Sequence, residues 1–84
     1  MKLKIYSIYD MAARNYNRPF YQHTKGEAVR SFTDLANDGE SMISKHPQDY
    51  FLFELGTFED ESGAITTHDA PVKCISAQEC VADA

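Results

Sequence analysis

The residues best suited to chemistry lie between Arg14 and Tyr21, where cations alternate with aromatic and amide side chains (RNYNRPFY). Single-stranded nucleic acid needs this combination, because cations neutralise phosphates and ring faces stack on unpaired bases. Asparagine side chains can add hydrogen bonds to base edges. With flanking cations included, the predicted nucleic-acid site comprises Lys4, Arg14, Tyr16, Arg18, Tyr21, Lys25 and Arg30. The alternative interpretation is structural: Phe20 and Tyr21 pack under a helix, and the arginines keep a loop solvated.

Catalytic and metal-binding signals are weak. The histidines have neither His-x-x-x-His nor His-Glu-x-x-His spacing, and the sequence has no glycine-rich phosphate loop or nucleophile elbow. His68, Cys74 and Cys80 could supply three zinc ligands, but a structural zinc site usually has four. We therefore expect a protein that is not an enzyme and that needs neither a cofactor nor a metal ion.

The charge is divided unevenly along the chain. The 84 residues carry a net charge of −5, yet residues 1–30 hold six Lys or Arg against two acids, whereas residues 31–84 hold two against eleven. An acidic protein repels nucleic acid, since binding depends on cations that displace counterions from phosphates. Because most of the cations are concentrated in residues 1–30, this part of the chain could still bind nucleic acid. The division of charge also leaves an alternative, in which the acidic part docks on a basic replication or capsid protein and the chain never contacts DNA.

The length predicts one small domain over residues 1–71, with a C-terminal extension over 72–84 as a short strand or frayed helix. No apolar run approaches the roughly 20 residues of a membrane span. The N-terminus, MKLKIY, does not resemble a signal peptide. Two cysteines near the C-terminus have five residues between them. A disulfide there would close a short terminal loop and link nothing to the core, which favours reduced thiols inside a cell.

Periodicity predicts the regular elements. Residues 2–9 alternate as a strand with Leu3 and Ile5 on one face, and residues 50–58 alternate with Phe51, Phe53 and Leu55 towards the core. Residues 15–22 lack periodicity and are expected to be a loop or extended segment. Glycine at position 63 fits a hairpin turn, followed by a returning strand over 64–68, a break at 69–71 and a short strand over 72–75.

One principal helix is predicted over about Thr24–Asn37. It begins at a capping box formed by Thr24 and Glu27 and ends at Asn37-Asp38-Gly39, where a left-handed C-cap is expected. Its apolar stripe consists of Ala28, Phe32, Leu35 and Ala36.

The predicted fold is α+β, a three- to four-stranded, mainly antiparallel sheet with one helix on one face in β-α-β-β order. Phe32 and Leu35 should then pack on Leu3, Ile5, Phe51 and Phe53. The second face of the strand over 50–58 is also partly apolar, through Tyr50, Leu52 and Phe58. A second copy, another protein or the C-terminal tail could cover it, so a homodimer is one expected arrangement.

Several segments, in the same order and spacing, resemble the small nonstructural protein of gokushovirus-type microviruses, which are single-stranded DNA bacteriophages. They are MKLKIYSIYD (1–10), RPF (18–20), KGEAVRSF (25–32), SKHPQDY (44–50), LFELG (52–56) and DAP (69–71). The resemblance implies a DNA-binding protein that acts in the host cytoplasm during synthesis or packaging of progeny single-stranded genomes. It also implies the phage replication initiator or the procapsid protein as partners. It carries over no binding residues.

Overall fold

The computed structural model describes residues 1–81. Within these residues five strands form one antiparallel sheet, accompanied by three helices and a 3₁₀ turn. The strands are β1 (Lys2–Asp10), β2 (Asn15–Tyr16), β3 (Phe20–Gln22), β4 (Tyr50–Glu59) and β5 (Ile65–Ser76). The helices are α1 (Lys25–Ala36), α2 (Met42–Lys45) and α3 (Ala77–Cys80), with the 3₁₀ turn at Pro47–Asp49. The predicted α+β class is confirmed.

The central strand of the sheet is β1. It pairs with β4 on one side and with both β2 and β3 on the other, while β5 pairs with the far side of β4. The segment over 15–22, predicted to be a loop or extended, thus forms two short edge strands. Pro19 lies in the gap between them, because it has no N–H to donate to a ladder.

The principal helix is confirmed, and its ends follow the predicted caps only in part. The Oγ1 atom of Thr24 accepts from the Glu27 N–H at 3.2 Å, as a capping box requires. At the other end Gly39 is not left-handed; Asn37 ends the helix with φ −105°, and its side-chain amide donates to the Thr33 carbonyl. Leu35 is 40% exposed, so the buried stripe narrows to Ala28, Phe32 and Ala36.

The predicted orientation of the sheet under this helix is wrong. The core joins Phe32 and its neighbours on α1 to Tyr6, Ile8 and Leu52. Leu3, Phe51 and Phe53 lie outside it, and Ile5 is buried but does not belong to the cluster around Phe32. We call the surface with Tyr6, Ile8 and Leu52 the covered face. Because β1 and β4 carry apolar residues on both sides, period-2 alternation alone does not say which side a helix covers. The tyrosine Tyr6 can be fully buried on the covered face because its hydroxyl has a partner there: it donates to Glu54 Oε1 at 3.3 Å.

Two irregularities separate the ends of the sheet. Leu55 forms a bulge in β4, and the pairing of β4 with β5 is interrupted between Thr67 and Val72, where Asp69-Ala70-Pro71 arches away from the ladder. The expected break therefore lies inside one long strand. Gly56 packs so closely on β5 that a Cβ there would lie 2.1 Å from the Thr66 carbonyl oxygen. The hairpin turn that follows has Gly63 at φ +76°, as predicted.

The C-terminal segment continues the domain in its described part. Residues up to Ser76 complete β5, and the Ser76 hydroxyl accepts from the Glu79 N–H to begin α3. Ala77 is fully buried against the core, and Cys80 and Val81 pack beside it. The last three residues of the expected extension lie outside the described residues.

Candidate nucleic-acid interface

The sheet has a second surface, here called the open face, that no helix of residues 1–81 covers. Directly paired residues on antiparallel strands project to the same side, so the register identifies its members. They are Leu3, Ile5, Ser7 and Tyr9 of β1, Tyr16 of β2, Tyr21 of β3, Phe51, Phe53, Gly56 and Phe58 of β4, and Ile65, Thr67, Lys73 and Ser76 of β5.

One end of the open face, the tyrosine end, is a cluster of four rings and a cation: Tyr9, Tyr16, Phe51, Phe53 and Lys73. Tyr9 and Tyr16 have ring centroids 4.8 Å apart, and the Phe53 ring lies edge-on to Tyr16 at 5.7 Å. The ammonium of Lys73 lies 4.8 Å from the centroid of Phe51, within range of a cation–π interaction. Tyr16 remains 41% exposed, so a planar ligand can reach its ring.

The other end, the hairpin end, consists of Leu3, Ile5, Tyr21, Phe58 and Ile65. Tyr21 and Phe58 lie with ring centroids 5.7 Å apart. Between the two ends, Ser7 is buried and its hydroxyl donates to the Asn17 carbonyl at 2.6 Å. This bond fixes the loop that carries Arg18.

Charge distinguishes the open face from the rest of the chain. None of its residues is acidic, although the chain carries 13 Asp and Glu. Lys73 lies on β5, at one edge of the sheet. Arg14 and Arg18 are exposed in the segments just before and just after β2, at the other edge. Arg14 has a left-handed backbone (φ 60°) in the turn that Asp10 holds by accepting from the N–H groups of Ala12 and Ala13. The tyrosine end is therefore flanked by cations on both sides.

The predicted site residues do not all meet. Tyr16, Arg14 and Arg18 come together at the tyrosine end, whereas Tyr21 lies at the hairpin end. Lys25 and Arg30 are exposed on α1, behind the sheet. The binding role of these residues stays a prediction. The alternative interpretation was that Phe20 and Tyr21 pack under the helix. It holds for Phe20, which stacks on Tyr6 at 5.9 Å on the covered face, but not for Tyr21, which lies on the open face.

Lys4 lies on the covered-face side, in a polar network centred on Glu54. Its ammonium is 3.9 Å from Glu54 Oε1, and His68 Nε2 lies 2.6 Å from Glu54 Oε2. Burial, together with the nearby Glu54 carboxylate, raises the pKa of the Tyr6 phenol well above its usual value. The network ties the arched part of β5 to β4, which gives these polar groups a structural role.

Sequence reasoning missed Tyr9, Phe51, Phe53 and Lys73 as members of this surface. It assigned the two phenylalanines to the core, and it expected Tyr50, Leu52 and Phe58 to share the uncovered side. Only Phe58 lies there; Leu52 is fully buried, and Tyr50 packs on the core. Both phenylalanines do share one face with Leu3 and Ile5, as predicted, and the prediction was wrong only about which face the helix covers.

Within residues 1–81 the structure contains no enclosed cavity and no group of three His, Cys, Asp or Glu side chains placed to hold a metal ion. Cys74 and Cys80 are both free thiols, and burial raises the pKa of the Cys74 thiol. No helix in this part of the chain is long and apolar enough to cross a membrane. Whether the protein is catalytic stays a prediction from the sequence.

Comparison with known proteins places this fold in a phage family. The profile of the family described as Phage ORF5 protein matches residues 3–80. The chain is also similar to Protein ORF5 of Chlamydia phage 1, with 33% identity over 79 residues, which covers 89% of this chain and 82% of that protein. No solved structure matches. Chlamydia phage 1 is a gokushovirus-type microvirus, so the resemblance drawn from the sequence is confirmed. The chain belongs to the Phage ORF5 protein family.

Proposed function

We propose that this phage protein binds single-stranded DNA on the tyrosine end of its open face. The observation that carries the proposal is an uncovered cluster of four aromatic rings that lacks carboxylates and has cations on both flanks. Aromatic platforms with basic borders bind single strands because every base offers a face for stacking, whatever the sequence. Duplex bases are already stacked, so this surface favours unpaired strands.

The arrangement suggests the path of the strand. Tyr16, Tyr9 and Phe51 form a row that crosses β2, β1 and β4, and Lys73 lies on the next strand. Three interstrand spacings amount to about 14 Å. A short single strand crossing the sheet would place bases over the rings of Tyr16 and Phe51. Its phosphates would approach Arg14 and Arg18 at one border and Lys73 at the other.

The biological role that fits this binding is handling of progeny single-stranded genomes during their synthesis or packaging in the host cytoplasm. Membership in a phage family supports this setting. Several acidic residues lie away from the tyrosine end, among them Asp34 on α1 and Glu61 in the hairpin turn, where they would be available to contact a basic replication or capsid protein. Such an adaptor would use both parts of the charge distribution, and its role requires no catalytic step.

The test is a titration of fluorescent single-stranded oligonucleotide at several salt concentrations. Direct binding predicts a log–log salt slope of about −0.7 per phosphate contact. Tyr16→Ala should lose about 1–3 kcal/mol with little change in slope, whereas Tyr16→Phe should bind nearly as well as the wild type. The double variant Arg14→Glu/Arg18→Glu should bind weakly and flatten the slope.

The double variant Lys25→Glu/Arg30→Glu is the matched control, because it makes the same charge change on α1, behind the sheet. If it weakens binding as much as the Arg14 and Arg18 changes, a general electrostatic effect replaces the proposed site. If the wild type shows no binding at low salt, the adaptor that does not contact DNA replaces the proposal.

A further inference from the structure

The two sides of the sheet differ sharply at the hairpin end. Leu3, Ile5, Phe58 and Ile65 project to the open face together with Tyr21. The opposite side at the same level consists of polar residues: Lys2, Lys4, Gln22, Thr57, Glu59 and Thr66. Alternation of this kind is typical of antiparallel strands that bury one face and solvate the other.

Within residues 1–81 no helix covers the apolar side of this alternation, although Ile5, which pairs with Tyr21 and Gly56, is already buried there. The helices pack over Tyr6, Ile8 and Leu52, on the other face and farther along the strands. As a result Ile65 is 59% exposed and Tyr21 is 46% exposed. The molecule is elongated, with extents of 44 × 24 × 18 Å, and its hairpin end projects as a thin sheet. A sheet that is hydrophobic on one face is stable when that face is buried against another element.

The absence of charge on the hairpin end indicates what kind of surface could pack on it. The hairpin end of the open face carries no charged residue, while the chain as a whole has a net charge of −5. A twofold interface places identical patches opposite each other, so it must be self-complementary. An uncharged apolar patch meets this condition without like-charge contacts. It offers nothing to recognise a basic or acidic partner.

We propose that the hairpin end is a homodimer interface, in which the patches of two copies pack face to face. Side chains of two stacked sheets interdigitate across about 10 Å, which would bury Phe58, Ile65 and Tyr21. The tyrosine end starts at Tyr9, six residues from Leu3 along β1, or about 20 Å away. Both tyrosine ends therefore stay accessible in the dimer, and dimerisation does not depend on DNA binding.

The test is the molar mass of the purified chain, measured by light scattering and sedimentation over a wide range of micromolar concentrations. The wild type should have twice the chain mass at the upper end of that range. Ile65→Lys and Phe58→Lys should shift the mass to that of one chain, with an unchanged circular dichroism spectrum. Ile65→Lys is the cleaner variant, because its side chain is exposed and the monomer should fold with it.

Val72→Lys is the matched control. Val72 is 50% exposed on the same strand, but it pairs with Glu54 on the other side of the sheet, so this variant should remain dimeric. A wild type that stays monomeric throughout the range would overturn the proposal, and so would an Ile65→Lys variant that dimerises as well as the wild type. A dimer abolished by Val72→Lys but not by Ile65→Lys would place the interface on the edge of β5.

Discussion

The two faces of this sheet are built from the same strands but have different surroundings. Leu52 and Phe53 are neighbours in β4, yet Leu52 is completely buried under α1 while Phe53 lies half-buried among rings on the open face. On the covered face, branched aliphatic residues surround Tyr6, and Phe20 stacks on the Tyr6 ring. The open face contains rings that touch edge to edge and leave their surfaces accessible. The comparison teaches that an apolar strand face need not be a core.

A second comparison separates the two ends of the open face. The tyrosine end has cations along its borders, whereas the hairpin end has no charge. Cations attract phosphates, and an uncharged apolar patch fits a copy of itself. The same strands can therefore present a ligand surface at one end and an oligomer contact at the other.

The largest expected effect distinguishes the two faces. Phe32→Ala should lower the free energy of unfolding by about 3–5 kcal/mol, because the ring is fully buried and its removal leaves a cavity. Phe53→Ala should cost less, because its ring is partly exposed and the free energy follows the apolar area removed from water. Urea denaturation of both variants measures the difference. Equal losses would contradict the assignment of Phe53 to the open face.

The next effect tests the hairpin end. Gly56→Ala should destabilise the protein by about 1–3 kcal/mol or more, because β4 and β5 must separate to admit a Cβ beside the Thr66 carbonyl. Gly39→Ala, whose Cβ would meet nothing within 4 Å, is the control and should be nearly neutral. If dimerisation uses the hairpin end, Gly56→Ala should also weaken the dimer while DNA binding at the tyrosine end persists.

A smaller effect tests the boundary between the ends. Ser7→Ala should cost about 0.5–1.5 kcal/mol, because the Asn17 carbonyl loses its buried hydroxyl donor. Ser62→Ala, in the exposed turn, should change stability by less than about 0.5 kcal/mol. The urea midpoints of the two variants provide the measurement. A neutral Ser7→Ala would mean that the Arg18 loop is held by the strand pairing alone.

The smallest effect is a reaction rate. Burial raises the pKa of Cys74 above the ordinary thiol value of 9.0, so less thiolate is present at pH 8 than in a free cysteine. In a Cys80→Ser background, alkylation of Cys74 by iodoacetamide should be slower than that of a small thiol, and it should accelerate as the pH rises beyond 9. Urea should remove the difference. Alkylation as fast as that of the free thiol would contradict a partly buried Cys74.

Local sequence determined the regular elements. Thr24 and Glu27 mark the start of α1, Asp10 caps the turn that follows β1, and Gly63 supplies the left-handed residue of the hairpin. Each of these signals depends on groups only a few residues apart, so the residues themselves carry the information. The phage family was likewise recognisable from short segments in a fixed order.

Only the tertiary structure decided which face of the sheet the helix covers. Apolar residues occupy both sides of β1 and β4, and alternation gives no preference between them. The bulge at Leu55 and the hydrogen bond from the buried Tyr6 to Glu54 depend on contacts between strands about 50 positions apart in the chain. The candidate site followed the same rule. Sequence proximity grouped Tyr16 with Arg14 and Arg18, but strand pairing brought Tyr9, Phe51, Phe53 and Lys73 to them, because a sheet surface is assembled from distant segments.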